Sequence, residues 1–336
     1  MIHYFNTITM KQLIQDFTDQ LREANAIGSS YTFIHNYSDF QNITVCGLGG
    51  SGFGANLIYD LCQTEMSVPF NVSKGYTIPG YINEKSLVIV SSYSGNTEET
   101  LESMALAEAA GAQIIGITSG GKVKAHCEAK GYDVITVPGG KPPRACLGYS
   151  FVQQLYILKH VGQISASKLE ELQSSMVLLD EEQASIDEYT KSLAEKLYTK
   201  IPILYSEDSM ESVAIRFRQQ INENGKMLCW HHVIPEMNHN ELVGWRQKKE
   251  DWAVILLRKD SDYSRNQVRM EINKTIIAEY CDSITEIHAK GDNDMERALY
   301  LIHVADWLSW HLSVYREVDA TEVKVIDFLK GELAKQ

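Results

Sequence analysis

Small and hydroxyl-bearing residues follow two apolar runs in the first third of the chain. The run 42–46 leads into the glycine-rich loop 47–52 (GLGGSG), and the run 86–91 leads into the loop 92–97 (SYSGNT). Glycines let backbone N–H groups approach an anion without interference from Cβ atoms, and hydroxyls add donors where a helix would begin. Together the loops predict one phosphate monoester site. Its predicted ligands are Gly49, Gly50, Ser51, Ser92, Ser94 and Thr97.

Other interpretations of the first loop are weaker. Gly47, Gly49 and Gly52 fit the dinucleotide pattern G-x-G-x-x-G, but that pattern also needs an acidic residue closing the next strand. The strand predicted over 70–74 ends without one. The P-loop interpretation fails because no Gly-Lys-Ser/Thr follows the turn. A purely structural turn stays open for this loop alone. The three hydroxyls of the second loop exceed what N-capping requires and favour phosphate binding.

Composition limits the function classes. The 336 residues are 44% hydrophobic and 22% charged, which is typical of a two-domain globular protein. The net charge of −13 argues against nucleic acid or anionic membranes as partners. No apolar run approaches the ~20 residues of a membrane span, and residues 1–6 lack a signal-peptide pattern. The six cysteines are scattered without CxxC, which favours reduced thiols and a cytoplasmic location.

Strand and helix patterns alternate along both halves of the chain. This alternation predicts an α/β fold with two doubly wound parallel-sheet α/β/α sandwich domains. The predicted domains are 1–162 and 201–336, joined by a polar helical connector over 163–200. A helix is predicted over 53–64, and Asn96 with Glu99 predicts a capping box for a helix ending at Ala110. The corresponding turn of the second half, 206–209, is acidic and lacks glycine. We therefore expect no phosphate site there.

Several sequence blocks resemble a known family. The segments 49–52 (GGSG) and 91–100 (SSYSGNTEET) look like the sugar isomerase (SIS) domain. Further blocks at 143–149, 222–226, 235–241 and 326–330 are similar to the bifunctional phosphoglucose/phosphomannose isomerases. The resemblance extends over nearly the whole chain. It implies tandem SIS-like domains and interconversion of glucose 6-phosphate, and possibly of mannose 6-phosphate, with fructose 6-phosphate.

The resemblance also implies roles for four residues. Glu223 would be the base that shuttles a proton between C1 and C2, and Arg144 would stabilise the enediolate. His239, between two asparagines that could fix its tautomer, would act at the ring oxygen together with Lys330. In related isomerases this histidine comes from a neighbouring subunit, so the resemblance implies a homodimer with shared active sites. Taken alone, Glu223, His239 and Lys330 are each more typical of a residue without a catalytic role, and Arg144 is typical of a surface ion pair.

The same resemblance bears on which sugar phosphates are substrates and on which other functions stay open. Bifunctional members carry a threonine seven residues before the terminal lysine, but Val323 occupies that position here and Thr321 lies nearby. We expect no metal, because no HExxH or close His/Cys cluster is present, and no cofactor. The alternatives are a non-catalytic sugar-phosphate sensor, which would need neither base nor histidine, and an SIS isomerase of another phosphosugar.

Overall fold

The structure is a computed structural model that describes residues 9–335. Residues 1–6, on which the signal-peptide prediction depends, and the outer ends of both predicted domains lie outside the described residues. The described chain forms two compact units. The first unit comprises Asp16–Asp180 and Asn293–Glu296; the second comprises residues 9–15, Glu181–Asp292 and 297–335.

The first unit is built on a five-stranded parallel sheet of order β2-β1-β3-β4-β5. Its strands are β1 Asn42–Cys46, β2 Phe70–Ser73, β3 Ser86–Ser91, β4 Gln113–Thr118 and β5 Asp133–Thr136. Its helices are α2 Phe17–Ser30, α3 Gly49–Cys62, α4 Glu98–Ala109, α5 Gly121–Lys130 and α6 Leu147–His160, after the short α1 Met10–Gln15 of the second unit.

Burial explains why these segments form a parallel sheet. All six residues of β3 are buried, as expected for a central strand covered on both faces. Val88 and Val90 lie in one apolar cluster with Met104 of α4 and Cys127 of α5. The connection from β1 runs outward to β2, whereas β3 leads the opposite way to β4. The carboxyl ends of β1 and β3 therefore flank the point where the winding reverses.

The second unit repeats this arrangement with a four-stranded parallel sheet of order β7-β6-β8-β9. Its strands are β6 Ile201–Glu207, β7 Trp230–Ile234, β8 Trp252–Arg258 and β9 Ile284–His288. Its helices include α8 Glu211–Glu223, α9 Ser264–Ile277, most of α10 Asp294–Tyr315, and α11 Lys324–Leu333. The predicted fold class of two doubly wound parallel-sheet domains is confirmed.

The long helix α7, Ser167–Leu197, lies within the predicted connector. Residues of α7 up to Asp180 belong to the first unit, and those from Glu181 belong to the second. The predicted boundaries at 162 and 200 stay a prediction. Among residues 9–335, none of the helices combines the length and the apolar character that crossing a membrane requires.

Candidate active site

The two predicted phosphate loops lie side by side at the carboxyl ends of β1 and β3. The Ser51 hydroxyl accepts a hydrogen bond from the Tyr93 amide at 2.9 Å. The Ser91 hydroxyl donates to the Ser51 carbonyl at 3.2 Å. These bonds fasten one loop to the other at the point where the sheet winding reverses, which is the usual ligand position in open α/β sheets.

The first loop is the first turn of a helix. Helix α3 begins at Gly49, so the predicted start at residue 53 was four residues too late. The glycines of residues 49–52 are typical of a loop, but here they form the first helical turn, whose N–H groups lack intrahelical partners. The prediction of an anion site is stronger for this reason, because the positive end of α3 and the amides of its first turn coincide with the glycines.

The second loop has its hydroxyls arranged for a shared ligand. The Ser92 hydroxyl donates to Thr97 Oγ1 at 3.2 Å, so both oxygens are close enough to contact one phosphate group. Ser92 is buried, whereas Ser94 is exposed and accepts a hydrogen bond from the Asn96 amide. The loop therefore presents one hydroxyl in the protein interior and one at the surface.

The predicted capping box at Asn96 and Glu99 is wrong. Thr97 precedes α4, and no side chain caps the helix. The Asn96 side chain instead donates to the Ser94 carbonyl at 3.2 Å and accepts from the Lys122 amide at 3.1 Å. Asn96 consequently ties the phosphate loop to the start of α5.

We predict that Gly95→Ala distorts the second loop. Gly95 has φ +68°, and a Cβ there would lie 1.8 Å from the Gly120 carbonyl oxygen. The left-handed backbone alone costs about 1–2 kcal/mol for other residues, and the clash must also displace the loop. We expect a lower melting temperature and, for the sugar phosphate that the resemblance implies, a KM at least about tenfold higher, which corresponds to about 1.4 kcal/mol.

Gly131→Ala is the matched control. Gly131 has φ +71° but no heavy atom within 4 Å of a Cβ, so this variant carries the backbone cost without the clash. It is expected to lose stability and to keep the wild-type KM. Equal KM values for the two variants would contradict the assigned role of the 92–97 loop.

Arg144 adjoins the first phosphate loop. It lies on the short 3₁₀ turn Pro143–Ala145 and is 5% exposed. A Cβ at Gly50 would lie 2.7 Å from the Pro143 carbonyl oxygen and 3.5 Å from Arg144 Cα. Gly50 thus permits a close approach that a larger residue would block. The structure therefore places the backbone of this always-charged residue against the first predicted phosphate loop, within one unit.

Glu223 is the last residue of α8 and is half-buried. Its two neighbours are anchored by their side-chain amides. Asn222 Nδ2 donates to the Met227 carbonyl at 2.7 Å, which closes the turn after the helix. Asn224, fully buried, donates to the Ser309 hydroxyl of α10 at 2.9 Å. The Asn-Glu-Asn sequence therefore fixes the backbone on both sides of the carboxylate.

Glu223 lines a cavity of about 520 Å³ in the second unit. The cavity lies between the end of α8 and the segment that includes the start of α11. Its lining residues are Asn222, Glu223, Lys226, Met227, Leu228, Glu322, Val323, Lys324, Val325 and Ile326. The volume is in the range of small-molecule sites. Val323, at the position expected to carry threonine in bifunctional relatives, therefore shares a cavity with the predicted base.

His239 ends a 3₁₀ turn, Glu236–His239, and is exposed. Met237 of the same turn is fully buried in the core of the second unit and anchors it. The flanking asparagines do not fix the imidazole tautomer as expected. Asn238 Nδ2 donates to Asn273 Oδ1 at 2.7 Å, and Asn240 Nδ2 donates to Glu236 Oε1 at 2.9 Å. They hold the backbone of the turn instead.

Lys330 lies on α11, whose residues 324–333 are all exposed. Within the part of the chain that is described, neither Lys330 nor His239 lines the Glu223 cavity. The structure therefore groups Arg144 with the phosphate loops in the first unit. Glu223, His239 and Lys330 belong to the second unit.

A carboxylate of the protein occupies the position in the second sheet that corresponds to the phosphate loops. Glu207 ends β6, and its Oε1 accepts hydrogen bonds from the Tyr263 amide at 2.7 Å and from Asn266 Nδ2 at 3.0 Å. Its Oε2 accepts from the Ser209 hydroxyl at 2.7 Å. Burial opposes ionisation, but these hydrogen bonds outweigh it and lower the pKa of Glu207. The hydrogen-bond donors at this end of the sheet already bind a carboxylate of the chain, which is the physical reason to expect no phosphate there.

Comparison with known proteins places the chain in a family. It is 36% identical to the bifunctional phosphoglucose/phosphomannose isomerase of Caldicellulosiruptor bescii, over 97% of this chain and 99% of the relative. The chain belongs to the bifunctional phosphoglucose/phosphomannose isomerase family. The Aquifex aeolicus protein of the same name is 33% identical, over 88% of this chain and 91% of the relative. The resemblance and the predicted enzyme type are confirmed.

Domain and structure matches agree with this phosphoglucose/phosphomannose isomerase assignment. The SIS domain matches residues 37–136, and the bacterial phospho-glucose isomerase C-terminal SIS domain matches residues 186–333. The crystal structure of tagatose-6-phosphate ketose/aldose isomerase from Escherichia coli superimposes with a TM-score of 0.70 at 13% identity. That match covers 94% of this chain and 95% of the other, and supports the SIS-like fold.

Proposed function

We propose that the chain interconverts glucose 6-phosphate and fructose 6-phosphate through an open-chain enediol, with mannose 6-phosphate as a second aldose. The observation that carries this proposal is the environment of Glu223 in a chain of this family. Glu223 lines a cavity of about 520 Å³, and its backbone is held by amides on both sides. Such preorganisation is what a proton-transferring base requires.

Each candidate residue has a distinct task in the proposed reaction. The loops 49–52 and 92–97 hold the phosphate. His239 and Lys330 assist ring opening, in which the ring C1–O bond breaks, the ring oxygen gains a proton, and the anomeric hydroxyl loses its proton and becomes the aldehyde. Glu223 removes the proton from C2 of the open aldose and returns it to C1, while the hydroxyl proton moves from O2 to O1. Arg144 stabilises the negative charge that develops on the enediolate oxygens.

We also propose a homodimer in which one subunit supplies His239 to the other. Support comes from the exposure of His239 on an anchored turn and from its place outside the Glu223 cavity. A histidine presented rigidly at the surface suits a site completed by a second copy. Sedimentation of the active protein tests this proposal, since a stable active monomer would contradict it.

A cytoplasmic location and a reaction without metal or cofactor complete the proposal. Cys46 and Cys62 are buried, and burial raises the pKa of each thiol to about 12. Such inert thiols are compatible with a reducing compartment. Proton transfer between neighbouring carbons requires a base and charge stabilisation, which the residues named above supply.

The decisive experiment compares rates with glucose, mannose and fructose 6-phosphates on purified protein in the presence of a chelator. We expect both aldoses to form from fructose 6-phosphate, with mannose 6-phosphate slower because Val323 lacks a hydroxyl. Binding of fructose 6-phosphate without turnover would indicate a sensor. Turnover of only pentose or amino-sugar phosphates would indicate a different SIS isomerase.

A further inference from the structure

Lys226 has an unusual backbone conformation immediately after the candidate base. Its φ is +53°, in the left-handed region that residues other than glycine rarely adopt. It follows Gly225, where a Cβ would lie 2.9 Å from the Ile221 carbonyl oxygen, so the chain leaves α8 through a tight reversal. A lysine kept in a strained conformation beside a candidate active site suggests that its side chain has a task.

The Lys226 ammonium bridges two segments of the second unit. Nζ donates one hydrogen bond to the carbonyl of Glu223, at the end of α8, and another at 2.6 Å to the carbonyl of Glu322. Carbonyls in the last turn of a helix lack intrahelical partners, and a cation there is favourable to the helix dipole. Glu322 lies two residues before α11, the helix that carries Lys330.

The Lys226 bridge forms part of the wall of the Glu223 cavity. Glu223, Lys226, Glu322 and Val323 all line the same cavity. The ten residues of α11 are exposed, so the segment before the helix depends on contacts of this kind for its position. The Glu322 carboxylate, with Oε1 at 4.0 Å from Nζ, adds a weaker ionic contact.

We infer that Lys226 is a positioning residue for the isomerase reaction. It holds the end of α8, and with it Glu223, against the segment that leads into α11. The inference rests on the proposed function, because the base and the cavity take their roles from it. Lys226 acts through Glu223 and the cavity wall, so its loss is expected to impair turnover more than substrate binding.

Three variants at this position test the inference. Lys226→Met removes the donor, and we expect kcat to fall about 10- to 100-fold while KM for fructose 6-phosphate changes less than threefold, the pattern expected when transition-state interactions are lost. Lys226→Arg keeps a cationic donor and is expected to restore kcat to within about threefold. Lys226→Gly relieves the left-handed strain. Its melting temperature is expected to equal or exceed the wild-type value while kcat falls as in Lys226→Met.

Lys200→Met is the matched control. Lys200 also donates to a backbone carbonyl, that of Glu250, and lies just before β6, at the opposite end of the sheet from Glu207. We expect wild-type kcat and KM from this variant. Wild-type kcat in Lys226→Met would overturn the inference. The inference would also be overturned if Lys226→Gly and Lys226→Met both lost kcat and melting temperature in parallel, because a general loss of stability would then explain the loss of activity.

Hydrogen exchange separates this inference from the proposed function. In Lys226→Met, amides of residues 322–330 are expected to exchange faster than in the wild type and in Lys200→Met, whatever the substrate. An inactive wild type with this change would refute the proposed function and leave the bridge supported. An active wild type without the exchange change would refute the bridge.

Discussion

Glu223→Gln lowers kcat for the interconversion of glucose and fructose 6-phosphates by about 10²- to 10⁴-fold, the range supplied by general acid–base catalysis. Glutamine preserves the size of the side chain but cannot accept and return a proton. The anchoring amides of Asn222 and Asn224 remain, so the cavity keeps its shape. Because the phosphate loops are unchanged, KM for fructose 6-phosphate stays close to the wild-type value. Initial rates in both directions measure the effect.

Glu211→Gln controls for the loss of a negative charge on the same helix. Glu211 is the first residue of α8 and is exposed, with only a 3.9 Å approach to His231. Its variant is expected to match the wild type in kcat and KM. A Glu223→Gln enzyme that keeps more than a tenth of the wild-type kcat would remove Glu223 from the role of base.

Asp306→Ala destabilises the protein by about 3–5 kcal/mol, the usual effect of removing one partner of a buried ion pair. Arg216 NH2 of α8 donates to Asp306 Oδ2 of α10 at 3.0 Å, and Gln220 Nε2 donates to Oδ1 at 2.7 Å. The side chains of the ion pair are 2% and 5% exposed. Burial raises the pKa of Asp306, although Arg216 and Gln220 favour the carboxylate. Its removal leaves a guanidinium buried without its counterion.

Urea unfolding followed by fluorescence gives the change in stability, and Asp282→Ala provides the control. Asp282 forms a 2.8 Å ion pair with Lys248 in which the side chains are 71% and 56% exposed. Exposed pairs contribute at most about 1 kcal/mol, so this variant should unfold near the wild-type midpoint. Equal midpoints for the two aspartate variants would contradict the importance of the buried pair in fixing α8.

Most of the strands, and the positions of the two loops predicted to bind phosphate, could be predicted because their signals are local. Strand β7, Trp230–Ile234, is an exception, since its two histidines interrupt the apolar run. Each buried strand is an apolar run, and each loop carries its small or hydroxyl residues at the end of such a run. The start of α3 and the cap of α4 were misplaced for a related reason. Glycine is tolerated in a first helical turn, and Asn96 finds its partner at Lys122, 26 residues further along the chain.

The surroundings of Glu223 could not be predicted from local patterns. The Lys226–Glu322 bridge joins residues 96 positions apart, and the Arg216–Asp306 pair joins residues 90 apart. In sequence, each is an ordinary charged residue on a helix or turn. The block Asn-Glu-Asn-Gly-Lys did contain one usable signal, because a lysine after a helix-ending glycine is placed to bind the last helical carbonyls.

The carboxylate of Glu207 gives the second sheet a ligand that belongs to the chain itself. A ligand attached to the chain cannot diffuse away, so the donors of Ser209, Tyr263 and Asn266 have a partner without any bound metabolite. The loops 47–52 and 92–97 of the first sheet, by contrast, contain no acidic residue, so the phosphate proposed to bind there has to come from solution. One unit of this tandem molecule thus carries its own carboxylate at the end of its sheet. The other unit leaves the corresponding position available to a ligand from solution.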